Sequence, residues 1–320
     1  MTPISIPQLS IIVPCYNEEE VLTNSSERLA AVLQELIALE QIKPSSYICF
    51  VNDGSTDGTW NIIMMLMDKS NLFRGINLSR NFGHQGALLA GLFTAKTDVY
   101  VSIDADLQDD EGKIKEMVQM YLDGKDIVYG CRDDRQSDTF FKRATAEFFY
   151  NMRAFLGCTT IKNHADFRLM SAKAVNALRN YREVNLFLRG VIPMLGFQSG
   201  KVFYARRARK QGESKYPLRK MLRLALDGVV NFSDIPLKAC FIASAGCFLL
   251  CVCIMIWSLV LWYIGSTIPG WASLVMVLCF FSCFQFLFLG IIGLYVGKIL
   301  NESKRRPRFI IKDDLTMINH

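Results

Sequence analysis

Along the first 130 residues the apolar positions come in blocks that switch between continuous strand-like runs and helical spacing. Residues 9–13 form an apolar run stopped by Pro14. From about 20 to 39 the apolar residues fall on one helical face made by Leu22, Leu29, Val32, Leu33 and Leu36. Residues 47–51 predict a second strand, 52–58 a turn rich in Asn, Asp, Ser and Gly, and 60–67 a Met-rich amphipathic helix. A third strand at about 75–78 runs into the polar stretch 79–84 and a helix through Ala95. The run 99–103 predicts a central strand, followed by a helix near 114–122 and a strand at 126–129. Strand, polar loop and helix alternate with short connections, which predicts an α/β fold with a mostly parallel sheet and helices on both faces.

The pattern changes after residue 238. From Ala239 to Gly297 there is no Asp, Glu, Lys or Arg. Two apolar segments, about 239–264 and 271–296, each exceed the roughly 20 residues needed to cross a bilayer. An uncharged turn with breakers, 265–270, separates them. Basic flanks on both sides (Arg219, Lys220, Arg223 and Lys238 before; Lys298, Lys304, Arg305, Arg306 and Arg308 after) place both ends of this transmembrane hairpin in the cytoplasm. The expected organisation is therefore a cytoplasmic domain over 1–210, a juxtamembrane amphipathic segment over 211–238, the hairpin over 239–297, and a cytoplasmic tail over 298–320. Residues 217–230 and 140–156 read as helices lying on the membrane. The N-terminus carries no signal-peptide pattern, so an inner-membrane, multi-pass protein with both termini cytoplasmic is expected.

The hydrophobic fraction, 51%, is concentrated in that hairpin, and the net charge of +6 is moderate. No nucleic-acid partner is indicated. Six of the ten cysteines lie in the spans and the rest are scattered, which points to reduced, structural thiols. No Gly-x-Gly-x-x-Gly follows a strand and no Gly-Lys-Ser/Thr occurs, which argues against a dinucleotide enzyme and a P-loop NTPase. His84 and His164 do not suggest zinc.

The central strand ends in Asp104-Ala105-Asp106-Leu107-Gln108. Strand ends are where α/β sheets bind ligands. In extended backbone, side chains two apart point the same way, so Asp104 and Asp106 can share one Mg²⁺ or Mn²⁺, with Ala105 turned away. The basic run from Arg206 to Arg223 suits anionic lipid headgroups.

Taken together, Val13-Pro14-Cys15-Tyr16-Asn17-Glu18, Asn52-Asp53-Gly54-Ser55, Ser79-Arg80-Asn81-Phe82-Gly83 and Asp104-Ala105-Asp106-Leu107-Gln108 resemble family 2 glycosyltransferases of the GT-A fold. Asp166-Phe167-Arg168-Leu169-Met170, Phe187-Leu188-Arg189-Gly190, Gly212-Glu213-Ser214-Lys215-Tyr216 and the two spans narrow the resemblance to polyprenyl-phosphate glycosyltransferases, bactoprenol glucosyltransferases and dolichol-phosphate mannose synthases among them.

The resemblance implies a Rossmann-like domain in which Pro14, Tyr16, Glu18, Asp53, Ser79, Arg80, Asp104 and Ala105 hold the nucleotide sugar. It also implies that Asp104 and Asp106 hold the metal, that Gln108 faces the sugar, and that Asp166 is the catalytic carboxylate, as base or as positioning group, the alternative being a structural carboxylate paired with Arg168. The implied acceptor is a lipid phosphate, for which Arg132 at a strand end, Arg209 and Lys215 are candidates and Arg143 a weaker one. The chain departs from the family pattern at Ala165, His84 and Asp110, where Gly, Lys and Pro are usual. The implied activity is metal-dependent inverting transfer of a hexose, glucose from UDP-glucose, to undecaprenyl phosphate for surface glycan (O-antigen) modification. Mannosyl or aminosugar transfer is the alternative. The implied partners are a flippase, a second, downstream glycosyltransferase and further copies of the chain. A non-catalytic scaffold or flippase partner is the reading from another class, and it leaves Asp104, Asp106 and Gln108 without a purpose.

Overall fold

The computed structural model describes residues 6–132, 164–183, 186, 188–205 and 270–316, with scattered helical positions between 242 and 264. The chain divides into two units. One comprises 1–150, 159–213 and 306–320, and the other 151–158 and 214–305.

The first unit begins as the apolar pattern predicts. β1 (Leu9–Cys15), α1 (Glu19–Ala38), β2 (Tyr47–Asn52), α2 (Thr59–Lys69), β3 (Phe73–Leu78), α3 (His84–Thr94), β4 (Val99–Ser102), α4 (Ile114–Leu122) and β5 (Ile127–Arg132) follow in order. β6 (His164–Ser171), α5 (Ala172–Leu178), α6 (Leu188–Met194) and β7 (Ser199–Tyr204) complete the middle of the chain, and β8 (Ile311–Leu315) returns near its end. The strands make one sheet in the order β7-β5-β6-β4-β1-β2-β3-β8.

Expected as mostly parallel, the sheet is mixed. β4, β1, β2 and β3 run parallel, and so do β5 and β7, but β6 is antiparallel to both β4 and β5, and β8 is antiparallel to β3. β6 lies between two strands that precede it in sequence, so the alternating βαβ pattern ends at β4 and cannot predict its direction.

The predicted face of α1 is the buried one: Leu22, Leu29, Leu33 and Leu36 are fully enclosed and join Ile11, Val13, Phe50 and Val101 in the core. Burying a side chain of that size stabilises by about 1.5–3 kcal/mol. The opposite face is covered by α3, and Gly91 lets that helix approach so closely that a methyl there would collide with Ile12 and Val51. Helices on both faces leave the ends of the parallel strands as the open edge.

In the second unit the expected second span is a helix, α7 (Trp271–Ser303), of 33 residues. Among the described residues, no helix is long and apolar enough to cross a membrane. The expected helices at 140–156 and 217–230 lie outside the described residues, as do Arg143, Arg209 and Lys215. The segment expected as a tail carries the end of α7 and the edge strand β8.

Candidate active site

Four loops at the C-terminal ends of β1, β2, β3 and β4 meet around a cavity of about 270 Å³. Pro14, Cys15, Tyr16, Glu18, Asp53, Asn81, Gly83, His84, Ala87, Asp104, Ala105 and Asp106 line it. Parallel neighbours must end on the same side, so the sheet delivers these four segments to one place.

The loops are stitched to each other by hydrogen bonds. After β1 the chain turns through Asn17, in the left-handed region at φ 54°. The Asn17 N–H donates to Ser55 Oγ (3.0 Å), and Asn17 Oδ1 accepts from the Thr56 N–H (2.9 Å). The Glu18 N–H donates to Thr59 Oγ1 (2.9 Å), and the Asp53 N–H donates to the Cys15 carbonyl (2.9 Å). Asp53 is 2% exposed, and its Oδ1 accepts from the Phe82 N–H at 2.7 Å. Burial pushes its carboxyl up, against the pull of the Phe82 and Gly83 N–H groups and of His84 and Arg80. Gly54 has φ +65°, and a Cβ there would lie 2.5 Å from the Arg80 carbonyl carbon and 2.6 Å from the Asn81 nitrogen. Only glycine lets the second and third loops touch in this way.

Asp104 and Asp106 do line one cavity, but not through strand alternation. β4 ends at Ser102, and residues 104–107 form a turn in which the Leu107 N–H donates to the Asp104 carbonyl, with Leu107 at φ 43°. Asp106 Oδ1 accepts from the Gln108 N–H (3.2 Å), which keeps the turn closed. Burial raises the Asp104 carboxyl. His84 opposes this, and Asp166, Asp109 and Asp106 add to it. His84 Nε2 stands 3.5 Å from Asp104 Oδ1 and 3.7 Å from Asp166 Oδ2.

Asp166 lies on β6, beside β4. Its Oδ1 accepts from Arg168 Nη2 (2.5 Å) and Arg189 Nε (3.2 Å), and its Oδ2 from Arg189 Nη2 (2.7 Å). Burial would raise this carboxyl, but Arg168 and then Arg189 outweigh it and hold the group far below the usual carboxylate range. Arg168 is itself 1% exposed. Asp166 is thus a fixed anion clamped by two guanidinium groups.

Arg132 is engaged in a similar way. Its Nη2 and Nε donate to Asp109 Oδ1 (3.1 and 3.3 Å), which also accepts from the Tyr204 hydroxyl (2.7 Å). The Asp109 side chain is 2% exposed. This cluster ties the loop after Asp106 to the ends of β5 and β7.

The cavity therefore gathers Pro14, Tyr16, Glu18, Asp53, Asp104, Ala105 and Asp106, but not Ser79, Arg80, Gln108, Arg132 or Asp166. The Ser79 N–H donates to the Ile310 carbonyl, Arg80 lies over the Phe82 ring at 4.1 Å, and Gln108 is buried at 7% exposure. Asn81, Gly83 and His84 stand where Ser79 and Arg80 were expected. Their position next to the Ser79-Arg80 pair was the available signal. Arg189 and Asp109 received no role from the sequence, although both sit within or beside the quoted motifs.

The chain is similar to several known proteins. The profile described as Glycosyl transferase family 2 matches residues 10–179. The chain is 45% identical over 313 residues to the uncharacterized glycosyltransferase YkoT of Bacillus subtilis, covering 97% of this chain and 93% of that one. It is 36% identical over 314 residues to the bactoprenol glucosyl transferase of Shigella phage SfV, covering 96% and 99%. Among solved structures, glucosyl-3-phosphoglycerate synthase from Mycobacterium tuberculosis aligns with a TM-score of 0.45 at 17% identity, over 71% of this chain and 80% of that one.

Proposed function

This chain belongs to glycosyl transferase family 2, and from that premise we propose that it moves glucose from UDP-glucose to a polyprenyl phosphate, undecaprenyl phosphate, with inversion at the sugar. The observation that carries the reading is the convergence of Tyr16, Glu18, Asp53, Asp104 and Asp106 on one cavity at the open edge of the sheet. The full-length similarity to a phage bactoprenol glucosyl transferase supports the choice of sugar and acceptor.

The donor set fits a divalent cation that arrives with its diphosphate. Among the described residues there is no group of three or more His, Cys, Asp or Glu side chains placed to hold a metal by themselves. Two carboxylates at one cavity are what Mg²⁺ or Mn²⁺ uses when phosphate oxygens and water complete the shell. Asp166 and Asp109 are paired with arginines, so Asp104 and Asp106 are the cavity carboxylates that such a cation would meet. Asp104 and Asp106 would hold it, and it would neutralise the charge that develops on the departing nucleoside diphosphate.

The protein's own groups perform the rest. Tyr16, Glu18 and Asp53 bind and orient the nucleoside. The acceptor phosphate oxygen bonds to the anomeric carbon as the bond from that carbon to the diphosphate breaks, and the electron pair leaves with the diphosphate. A phosphate monoester has its second pKa at about 6, so at neutral pH it attacks as it stands. No base is needed, and Asp166, clamped as an anion by Arg168 and Arg189, serves to hold Arg189, the exposed one of the pair, toward the site.

In this reading 239–264 and 271–296 span the cytoplasmic membrane and bring the domain to its lipid. The charge-free run from 239 to 297 supports that placement, as do exposed apolar residues such as Leu274, Leu278, Leu289 and Leu294 on α7.

The test is incubation of membranes containing the chain with a panel of radiolabelled nucleotide sugars, followed by organic extraction. Label from UDP-glucose is expected in the lipid phase, and it should disappear with a chelator and return with Mg²⁺ or Mn²⁺. Asp104→Asn is expected to lower transfer by about a hundredfold or more, the scale for losing one electrostatic stabiliser of a leaving group, with membrane insertion unchanged. Transfer that is indifferent to both chelator and Asp104→Asn refutes the proposal.

A further inference from the structure

The donor loops are linked by buried amides to a strand that comes from the far end of the sequence. β8 closes the β3 edge of the sheet, with Asn77 directly opposite Asp313. Asp313 Oδ2 accepts from Asn77 Nδ2 at 2.9 Å, and Asn77 Oδ1 accepts in turn from Asn52 Nδ2 at 2.8 Å. Asn52 Oδ1 accepts from the Ser55 N–H at 3.2 Å, and Ser55 Oγ accepts from the Asn17 N–H at 3.0 Å. Asn52 and Asn77 are 3% and 7% exposed. The relay thus ends in the two loops that carry Tyr16, Glu18 and Asp53.

An Asn side chain can satisfy one donor and one acceptor in only one flip state. Because Asp313 is an acceptor only, it forces the Asn77 NH₂ toward itself and the Asn77 oxygen toward Asn52. The Ser55 N–H, which can only donate, holds Asn52 in the same state from the other end. Without Asp313 the row is held from one end alone, and the Asn77 NH₂ loses its charged partner.

We propose that Asp313 is a positioning residue for the nucleotide site, acting through Asn77 and Asn52 on the Asn52–Ser55 turn. The proposal rests on the reading of that cavity as the donor site. Asp313 touches neither donor nor acceptor, so its effect belongs to donor affinity rather than to the chemical step. An interaction that serves ground state and transition state alike changes KM and leaves kcat.

The test uses the full chain in detergent. Asp313→Ala is expected to raise the donor KM about fivefold to tenfold, the scale of one lost buried hydrogen bond, with kcat within twofold. Asp313→Asn can still present an oxygen to Asn77 and is expected to restore most of the affinity. Asp314→Ala, on the same strand but with its side chain bonded to Thr316, is expected to leave donor KM unchanged. If Asp313→Ala lowers thermal stability alone, with donor KM unmoved, or if Asp313→Asn fails to rescue, the relay is refuted.

A second measurement needs no variant. Coupling is reciprocal, so UDP binding to the natural chain is expected to slow hydrogen–deuterium exchange at 311–315 as well as at 52–59. Protection at 52–59 without protection at 311–315 overturns this inference and leaves the donor site standing. Protection at neither removes the donor reading itself.

Discussion

Replacing Asp166 with Asn separates an anchoring carboxylate from a proton acceptor. The wild-type carboxylate takes up donors from Arg168 and Arg189, and Arg168 is fully buried, with Nε and Nη1 finding no partner among the described groups. Asn keeps one acceptor oxygen, removes the charge and turns an NH₂ against a guanidinium. Breaking one side of a buried ion pair costs about 3–5 kcal/mol, and with one oxygen retained the lower end applies, about 3 kcal/mol. A domain of this size shifts by about 2–4 °C per kcal/mol, so the apparent Tm is expected to fall by about 6–12 °C.

The assay is a thermal scan by intrinsic fluorescence, paired with turnover measured well below the transition. The pH dependence has a definite sign. The folded carboxyl sits below its unfolded value of about 3.9, so its contribution is complete above that pH and is lost as the pH falls through the folded value. The gap in Tm between wild type and variant is therefore expected to stay constant from pH 8 to about 5 and to narrow only in stronger acid. A general base would behave otherwise: Asp166→Asn would leave Tm unchanged, lower kcat by roughly a hundredfold or more, and erase a limb of the pH–rate profile. That result would refute the anchoring argument.

Further outcomes follow from the same geometry. Gly54→Ala places a Cβ against the Arg80 backbone at a left-handed φ, so nucleotide binding by calorimetry is expected to weaken at least tenfold, from about 1–2 kcal/mol of backbone strain plus the collision; unchanged binding would show that the loops need not touch. Arg132→Ala strips a guanidinium from buried Asp109 and is expected to cost about 3 kcal/mol in a denaturation curve, whereas a residue serving only the acceptor phosphate would leave stability intact. Burial lifts the Cys49 thiol to about 12, so iodoacetamide at pH 8 is expected to leave it unmodified in the native protein and to label it after denaturation, read by mass spectrometry.

The strands and helices through β5 were legible because each apolar run or periodic face packs locally against its neighbour in sequence. All five apolar positions predicted for the inner face of α1 are buried, and Ser25 and Ser26, which the apolar pattern passes over, are buried with them. β6 was not legible as a strand, because His164–Ser171 carries Asp166 and Arg168 inside the sheet, and only a tertiary ion pair makes those side chains tolerable there. β8 reads Ile-Lys-Asp-Asp-Leu, a polar segment by composition. It becomes a strand by covering an open edge, an interaction that no local window contains. In the site, spacing found Asp104 and Asp106 but gave the wrong reason for their convergence, since a turn rather than an extended strand presents them. Roles for Arg189 and Asp109 were hidden because both act by pairing with groups distant in sequence.

The closing strand also bears on how the molecule is made. Asn77 and Asp313 are 236 positions apart, and the stretch between them contains the whole of the second unit. During synthesis β3 must wait, with its outer backbone groups unpaired, until nearly the entire polypeptide has left the ribosome. Contacts of such long range are slow to form, so a nascent chain stalled after α7 would present a sticky sheet margin to its neighbours. Fusion tags or early stop codons near position 310 should therefore harm yield by aggregation before they harm turnover.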